Sequence, residues 1–250
     1  MAMTKKAKTR TLSAYQAKRN FQKTPEPSGS GRPKRAPSSI KPGKGFFCVQ
    51  KHLASHLHYD FRLEHDGVLL SWAVPKGPSL NPRDKRLAMR VEDHPLDYGD
   101  FEGVIPEGYG AGIVMLWDRG SWSPETTDVS RALADGELKF SLAATKLKGS
   151  WVLVRTGNSG EESKGAESRT WLLIKHKDDW AGPIDVTTAA PLSVKSFGDF
   201  ADILAADKPD LWQSNKPAKG GVAGEMLTNI IEQAAKLKAG KRPVRKLKKR

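Results

Sequence analysis

Cysteine is nearly absent. Cys48 stands alone among 250 residues, so no intramolecular disulfide can form, and the chain suits a reducing cytoplasm better than a secreted, disulfide-stapled scaffold. Long apolar runs are missing as well. No stretch approaches the roughly 18 apolar residues of a membrane span, and the basic start MAMTKKAKTRTLSAYQAKRN lacks the apolar segment of a secretory signal. The expectation is a cytoplasmic protein with no membrane partner. Acidic residues are scarce at both ends: residues 1–45 hold twelve Lys or Arg against Glu26 alone, and residues 214–250 hold eleven against Glu225 and Glu232. The ends therefore carry +11 and +9 of a total of +14, which leaves the middle, 46–213, at −6. Basic arms on a mildly acidic body point to a polyanion such as nucleic acid, because neutralised phosphates release condensed counterions. The plainer reading is that Lys-rich tails solvate the chain.

What is present divides the chain into three parts. Residues 1–45 read as a basic, flexible arm with one short helix, SAYQAKRNF, capped by Ser13 and anchored by Tyr15 and Phe21. The Pro, Gly and Ser content of 24–45 marks a linker. Residues 46–184 switch to period 2: FFCVQKHL, HYDFRLEH, VLLSWAVP, RLAMRVED, GIVMLWD, ELKFSLA, WVLVRT and TWLLIKHK read as strands. Turn signals fall at Asp66–Gly67, Arg119–Gly120, Lys148–Gly149 and Asn158–Ser–Gly. The fold class expected is mainly β: an antiparallel β-barrel of about eight strands with short flanking helices and disordered basic tails, since closure removes sheet edges. A two-sheet sandwich competes with it. Trp72, Trp117, Trp122, Trp151 and Trp171 read as barrel core or rim before base-stacking platforms. DVSRALADG, with Asp128 or Ser130 as cap, suggests a two-turn helix. Residues 185–250 read as a partly helical, basic extension, in which Met226, Leu227, Ile230, Ile231, Ala234 and Leu237 recur at helical spacing.

Half of the six histidines crowd into QKHLASHLHYDFRLE, Gln50 to Glu64. On a strand, His58, Asp60, Arg62 and Glu64 share one face and Tyr59, Phe61 and Leu63 the other. Gln50 and His52 share a face of the preceding strand, and the short connection LASHL can bring the two polar faces together. His52, His58 and Asp60 then offer two imidazoles and a carboxylate to a divalent metal, with positions open for water or substrate. His56, in the connection, is the bystander. Further on, Glu92 and His94 lie at i and i+2, followed by Asp97 and Tyr98, while Lys76 and Arg86 add positive charge facing the same mouth. Cations beside a metal suit a phosphate ester. Polar strand faces without function are common, and single Arg or Lys residues are more often solvated than bound to substrate.

The run from QKHLASHLHYDFRLEHDG through DRGSW resembles the phosphoesterase module of bacterial DNA ligase D, of non-homologous end joining, and the likeness extends from AYQAKRNFQKTPEP to about Asp179. The resemblance implies a Mn²⁺-dependent activity, with Co²⁺ or Zn²⁺ as alternatives, that removes a 3′-ribonucleotide and then the 3′-phosphate from DNA ends to leave a 3′-hydroxyl. It implies His52, His58 and Asp60 as metal ligands, and His94, Arg62, Tyr98, Lys76 and Arg86 as catalytic residues. Arg19, Asn20, Glu26, Gln50 and Glu92 are implied as substrate contacts. The family usually carries Asp where Asn20 stands, so a negative charge is lost there. No KxDG-type ligase motif follows Asp179; the chain is read as either a free-standing relative or the first part of a longer protein, with DNA 3′ ends and ligase, polymerase or Ku-type repair proteins as partners. Two other classes compete. One is a non-catalytic DNA-end-binding accessory; the other is an iron oxygenase using His58, Asp60 and His94, which leaves His52, Arg62, Lys76 and Arg86 without roles.

Overall fold

The computed structural model describes residues 11–30, 44–157, 168–206 and 221–240. Eight strands close into an antiparallel barrel: β1 (Gly45–Leu53), β2 (Leu57–His65), β3 (Val68–Val74), β4 (Arg86–Arg90), β7 (Gly112–Pro124), β8 (Glu137–Ala144), β9 (Lys148–Arg155) and β10 (Thr170–Lys175). Their order around the wall is β1-β2-β3-β4-β10-β9-β8-β7, and β7 pairs again with β1. These are the eight segments that alternate in the sequence. Two short strands that alternation did not reveal sit beside the ring. β5 (His94–Pro95) pairs with β3 and β6 (Gly103–Ile105) with β7, and two or three residues are too few for a period to show.

Local chemistry sets the turns. Asp66 and Gly67 both have positive φ, 49° and 80°, and join His65 to its cross-strand partner Val68 in a two-residue hairpin loop. Arg119–Gly120, expected as a turn, instead lies inside β7, which runs straight on to Pro124. Gly120 is needed there because an added Cβ would lie 2.4 Å from the Ala143 carbonyl oxygen of the neighbouring strand. Lys148–Gly149 already belongs to β9, and the turn precedes it. The Asn158 turn lies outside the described residues.

The inner face of all eight strands forms one apolar core, including Phe47, Phe61, Trp72, Phe140, Trp151 and Trp171. All five tryptophans of the barrel strands are buried, as expected of core rings. Around the barrel, α2 (Val129–Asp135) is capped by Asp128, which accepts from the Arg131 amide, and ends on Gly136 in the left-handed region. α3 (Val186–Ala189), α4 (Phe200–Ala206) and α5 (Gly221–Gly240) follow. Leu227, Ile230 and Ala234 of α5 join Phe200, Ala201 and Leu204 of α4 in the main core, whereas Ile231 and Leu237 face outward. None of the described helices is long and apolar enough to cross a membrane.

The arm departs from expectation. α1 (Ser13–Ala17) is a single turn whose N-cap is Leu12 rather than Ser13, with no side-chain cap. Residues 24–30, expected as linker, lie against the barrel: Glu26 is buried and the Tyr15 hydroxyl donates to the Pro27 carbonyl at 2.6 Å. Tyr15, with Phe21 packed beside it, fills a second apolar cluster with Phe46, Cys48, Leu69, Tyr98 and Leu116, which covers the outer face of the β1–β3 wall. The tails expected to be disordered fall mainly on 1–10, 31–43 and 241–250, outside the described residues.

Phe140 packs at 5.9 Å from the Phe61 ring centroid and 6.2 Å from Trp122, at the centre of the inner core. Phe140→Ala is expected to lower the unfolding free energy by about 3–5 kcal/mol in urea titrations, the usual result of removing a buried aromatic ring.

Candidate metal centre and active site

The β1–β2 hairpin assembles a candidate metal site. Its register places His52 opposite His58, Gln50 opposite Asp60 and Cys48 opposite Arg62, across a connection of only Ala54–His56. The rings of His52 and His58 come to 4.8 Å, and one ligand atom from each of His52, His58 and Asp60 lies within 4.8 Å of the others. His52 Nδ1 is 3.6 Å and His58 Nε2 3.8 Å from the Asp60 carboxylate. His56 is exposed in the connection and contributes only its carbonyl, which accepts from His58 Nδ1 at 3.0 Å.

That carbonyl bears on whether the residues fit a metal. His58 Nδ1 must carry the proton to reach it, so Nε2 keeps a lone pair for an ion. His52 Nε2 meets the Gly110 carbonyl at 2.9 Å, so its lone pair sits on Nδ1, toward Asp60. Each histidine thus has its tautomer fixed by a backbone acceptor, the outer arrangement that orients metal-ligating imidazoles. The site fits a divalent transition metal.

Electrostatics keep the carboxylate ready. Burial alone would raise the Asp60 carboxyl, but the Arg62 guanidinium, with His58 and His52, outweighs it and holds Asp60 well below the usual carboxylate range. Arg62 is 1% exposed and fully engaged. Its Nη2 reaches Asp60 at 3.1 Å, its Nε donates to Gln50 Oε1 at 2.8 Å and its Nη1 to Ser71 Oγ at 2.7 Å. Gln50 in turn donates to the carbonyls of Tyr98 and Phe101, at 2.9 and 2.8 Å. The chain of contacts ties β1, β2, β3 and the 3-10 turn Leu96–Asp100 behind the ligands.

A cavity of about 420 Å³ opens in front of them, on the outer wall of the barrel, bordered by the ligands, Arg62, Arg19, Glu26, Glu92, His94 and Tyr98 among others. The arm closes one side. Arg19 donates from Nε to Glu26 at 2.8 Å and from Nη1 to Glu92 at 3.3 Å, and its Nη2 lies 3.4 Å from His94 Nε2. His94 Nδ1 meets the Glu92 carbonyl at 2.9 Å, so Nε2 bears the lone pair toward Arg19 and the cavity. Burial, then the charges of Arg62 and Arg19, push the His94 imidazolium well below its ordinary range, and the ring stands neutral. Burial raises the Tyr98 phenol well above its own.

The remaining expected residues lie elsewhere. Gln50 is wholly buried behind the cavity, where it braces Arg62 without bordering the open space. Asn20 is exposed and borders a smaller neighbouring cavity, with its Oδ1 accepting from the Gln22 amide. Lys76 is exposed beyond β3, and Arg86 pairs with Asp84 at 3.0 Å; neither borders the metal cavity. Strand parity could not place these two, because a loop separates them from the hairpin register. The oxygenase trio of His58, Asp60 and His94 is not what assembles: His52 takes the third place and His94 turns to Arg19 and Glu92. Sequence reasoning missed Ser71 and Gly110, and also Lys18, which pairs with Glu92 at 2.9 Å, and Tyr109, which borders the cavity. Ser71 was legible by parity, as it lies opposite Arg62 in the β2–β3 register. The others come from the arm and the 106–111 loop, which have no period to read.

Residues 50–155 match the family described as DNA Ligase D 3′-phosphoesterase domain. The chain is 53% identical over 178 residues to the multifunctional non-homologous end joining protein LigD of Pseudomonas aeruginosa, covering 71% of this chain and 20% of that protein. It is 39% identical over 173 residues to the protein of the same name from Mycolicibacterium smegmatis, covering 67% and 21% respectively. The chain thus spans about a fifth of the length of these curated relatives.

Two outcomes test the centre. His58→Ala is expected to abolish the binding of a divalent transition metal, probed by calorimetry with Mn²⁺, Co²⁺ and Zn²⁺, with the far-ultraviolet circular dichroism unchanged. Gly110→Ala puts a side chain at φ 82° next to His52 and should weaken binding of the same ions about 10–100-fold, the loss seen when an outer hydrogen bond to a ligand is disturbed.

Proposed function

We propose, from the premise that this barrel belongs to the DNA Ligase D 3′-phosphoesterase domain family, that the protein is a metal-dependent hydrolase of DNA 3′ ends. It removes a 3′-ribonucleotide and then the remaining 3′-phosphate, leaving a hydroxyl for ligation during non-homologous end joining. One observation carries the reading: the His52–His58–Asp60 set shares a solvent-open cavity with Arg19 and a buried, neutral His94.

Each residue has a physical task. Gln50 and Ser71 hold Arg62, and Arg62 holds Asp60 ionised and aimed. Arg19, already pointing its Nη2 into the cavity, meets the non-bridging phosphoryl oxygens, and Glu26 and Glu92 fix its planar fork. His94 Nε2, oriented by the Glu92 carbonyl, holds or moves a proton at an oxygen of the scissile phosphate. Tyr98 packs at 4.9 Å from the His94 ring and limits its rotation. When bound, a divalent ion, with Mn²⁺ favoured over Co²⁺ or Zn²⁺, supplies Lewis-acid polarisation of the phosphoryl group and a more acidic water. Lys76 and Arg86, outside the cavity, act on the DNA flanking the reacting end. Ligase, polymerase and Ku-type proteins are the partners this reaction serves, in the bacterial cytoplasm.

The competing reading, an end-binding accessory, predicts binding without conversion. A labelled duplex ending in a 3′-ribonucleotide or a 3′-phosphate, incubated with the protein and Mn²⁺, should be converted to a 3′-hydroxyl end, and EDTA should stop it. Arg19→Ala should reduce kcat/KM at least 100-fold, as loss of a charged contact to the transferring group does. Binding of the duplex with no Mn²⁺-dependent conversion would defeat the proposal in favour of the accessory.

A further inference from the structure

Large exposed aromatic rings are few among the described residues: Tyr109, Trp180 and Phe197. Of these only Tyr109, 51% exposed, borders the metal cavity. It also borders a second cavity of about 200 Å³, which shares Arg19, Glu26 and Gly108 with the first and is completed by Asn20, Lys23 and Thr24. Lys18 Nζ lies over one face of the ring, 4.5 Å from its centroid and 3.5 Å from its hydroxyl, and pairs with Glu92 at 2.9 Å, while Lys23 pairs with Glu107 at 2.9 Å at the rim of the second cavity.

The backbone ties this ring to the metal centre. Gly108 and Gly110, on either side of Tyr109, have φ of 88° and 82°, and the Gly110 carbonyl accepts from His52 Nε2. The ring is therefore one residue from a contact to a metal ligand. The ring is half exposed and borders both cavities, which leaves part of it open to a ligand. A half-exposed aromatic with an ammonium group against one face and a second at the cavity rim suits a nucleobase: the base stacks on the face turned from Lys18 and the cations meet the adjoining phosphates.

Resting on the proposed 3′-end chemistry, we propose that Tyr109 is the stacking platform for the terminal base of the DNA 3′ end, seated between the two cavities so that the phosphate attached to that nucleoside faces His52, His58 and Asp60. Stacking needs only a π face, so the platform accepts all four bases and reads the presence of a base rather than its identity. The 106–111 loop then links occupancy by the base to the orientation of His52.

The test uses the full chain and duplexes ending in a 3′-phosphate whose terminal nucleoside carries 2-aminopurine, a natural base or no base. The wild type should quench 2-aminopurine fluorescence on binding, and its KM for the abasic end should be about tenfold higher than for a base-bearing end, in keeping with loss of one base–aromatic stack. Tyr109→Ala should lose the quenching and raise KM about tenfold for base-bearing ends, while its KM for the abasic end matches that of the wild type. Tyr109→Phe should restore both quenching and KM. Equal wild-type KM for abasic and base-bearing ends would overturn the platform, and so would a Tyr109→Phe protein as impaired as Tyr109→Ala. Absence of turnover on every end by the wild type would count against the phosphoesterase reading, while quenching still reports on the stack.

Discussion

The buried Arg62 guanidinium is the constraint on which the site depends. A charge at 1% exposure is tolerable only when its donors are paired, and here the partners come from three different strands: Gln50 on β1, Asp60 on β2 and Ser71 on β3. The same contacts that make the cation bearable keep Asp60 ionised and pin Gln50, whose amide then holds the 3-10 turn carrying Tyr98. Removing any one partner leaves a buried charge short of a bond. The aim of the Asp60 carboxylate is thus set by satisfying one arginine.

Much of this was written in the alternation of Gln50 to Glu64. Parity separated His58, Asp60 and Arg62 from Tyr59, Phe61 and Leu63, and the hairpin register places His52 opposite His58. The eight barrel strands were legible for the same reason, since a wall with one apolar face must alternate. β5 and β6 escaped because they are shorter than a period. Gly120 misled, because a glycine that makes room for a neighbouring strand looks the same in sequence as one that makes a turn.

The arm was the less legible half of the site. Residues 24–30 have the composition of a linker, yet Glu26 is buried and Pro27 accepts from Tyr15. Composition measures how much apolar surface a segment can bury by itself; it cannot register one tyrosine inserted into a cluster supplied by the barrel. Nor does alternation say which face is interior. Here both faces of the β1–β3 wall are covered, the inner by the core and the outer by Tyr15, Phe21 and the 3-10 turn, so Gln50, Asp60 and Arg62 of the polar row are buried, while His58 and Glu64 stay partly exposed.

That placement has a consequence for access. A reaction centre at the floor of a barrel admits only what can be threaded through its rim, and the length of the molecule behind the reacting group becomes an obstacle. This cavity is cut into the outside of a closed wall. A stiff rod can lie alongside it and present one tip sideways, however long the rest of the rod is.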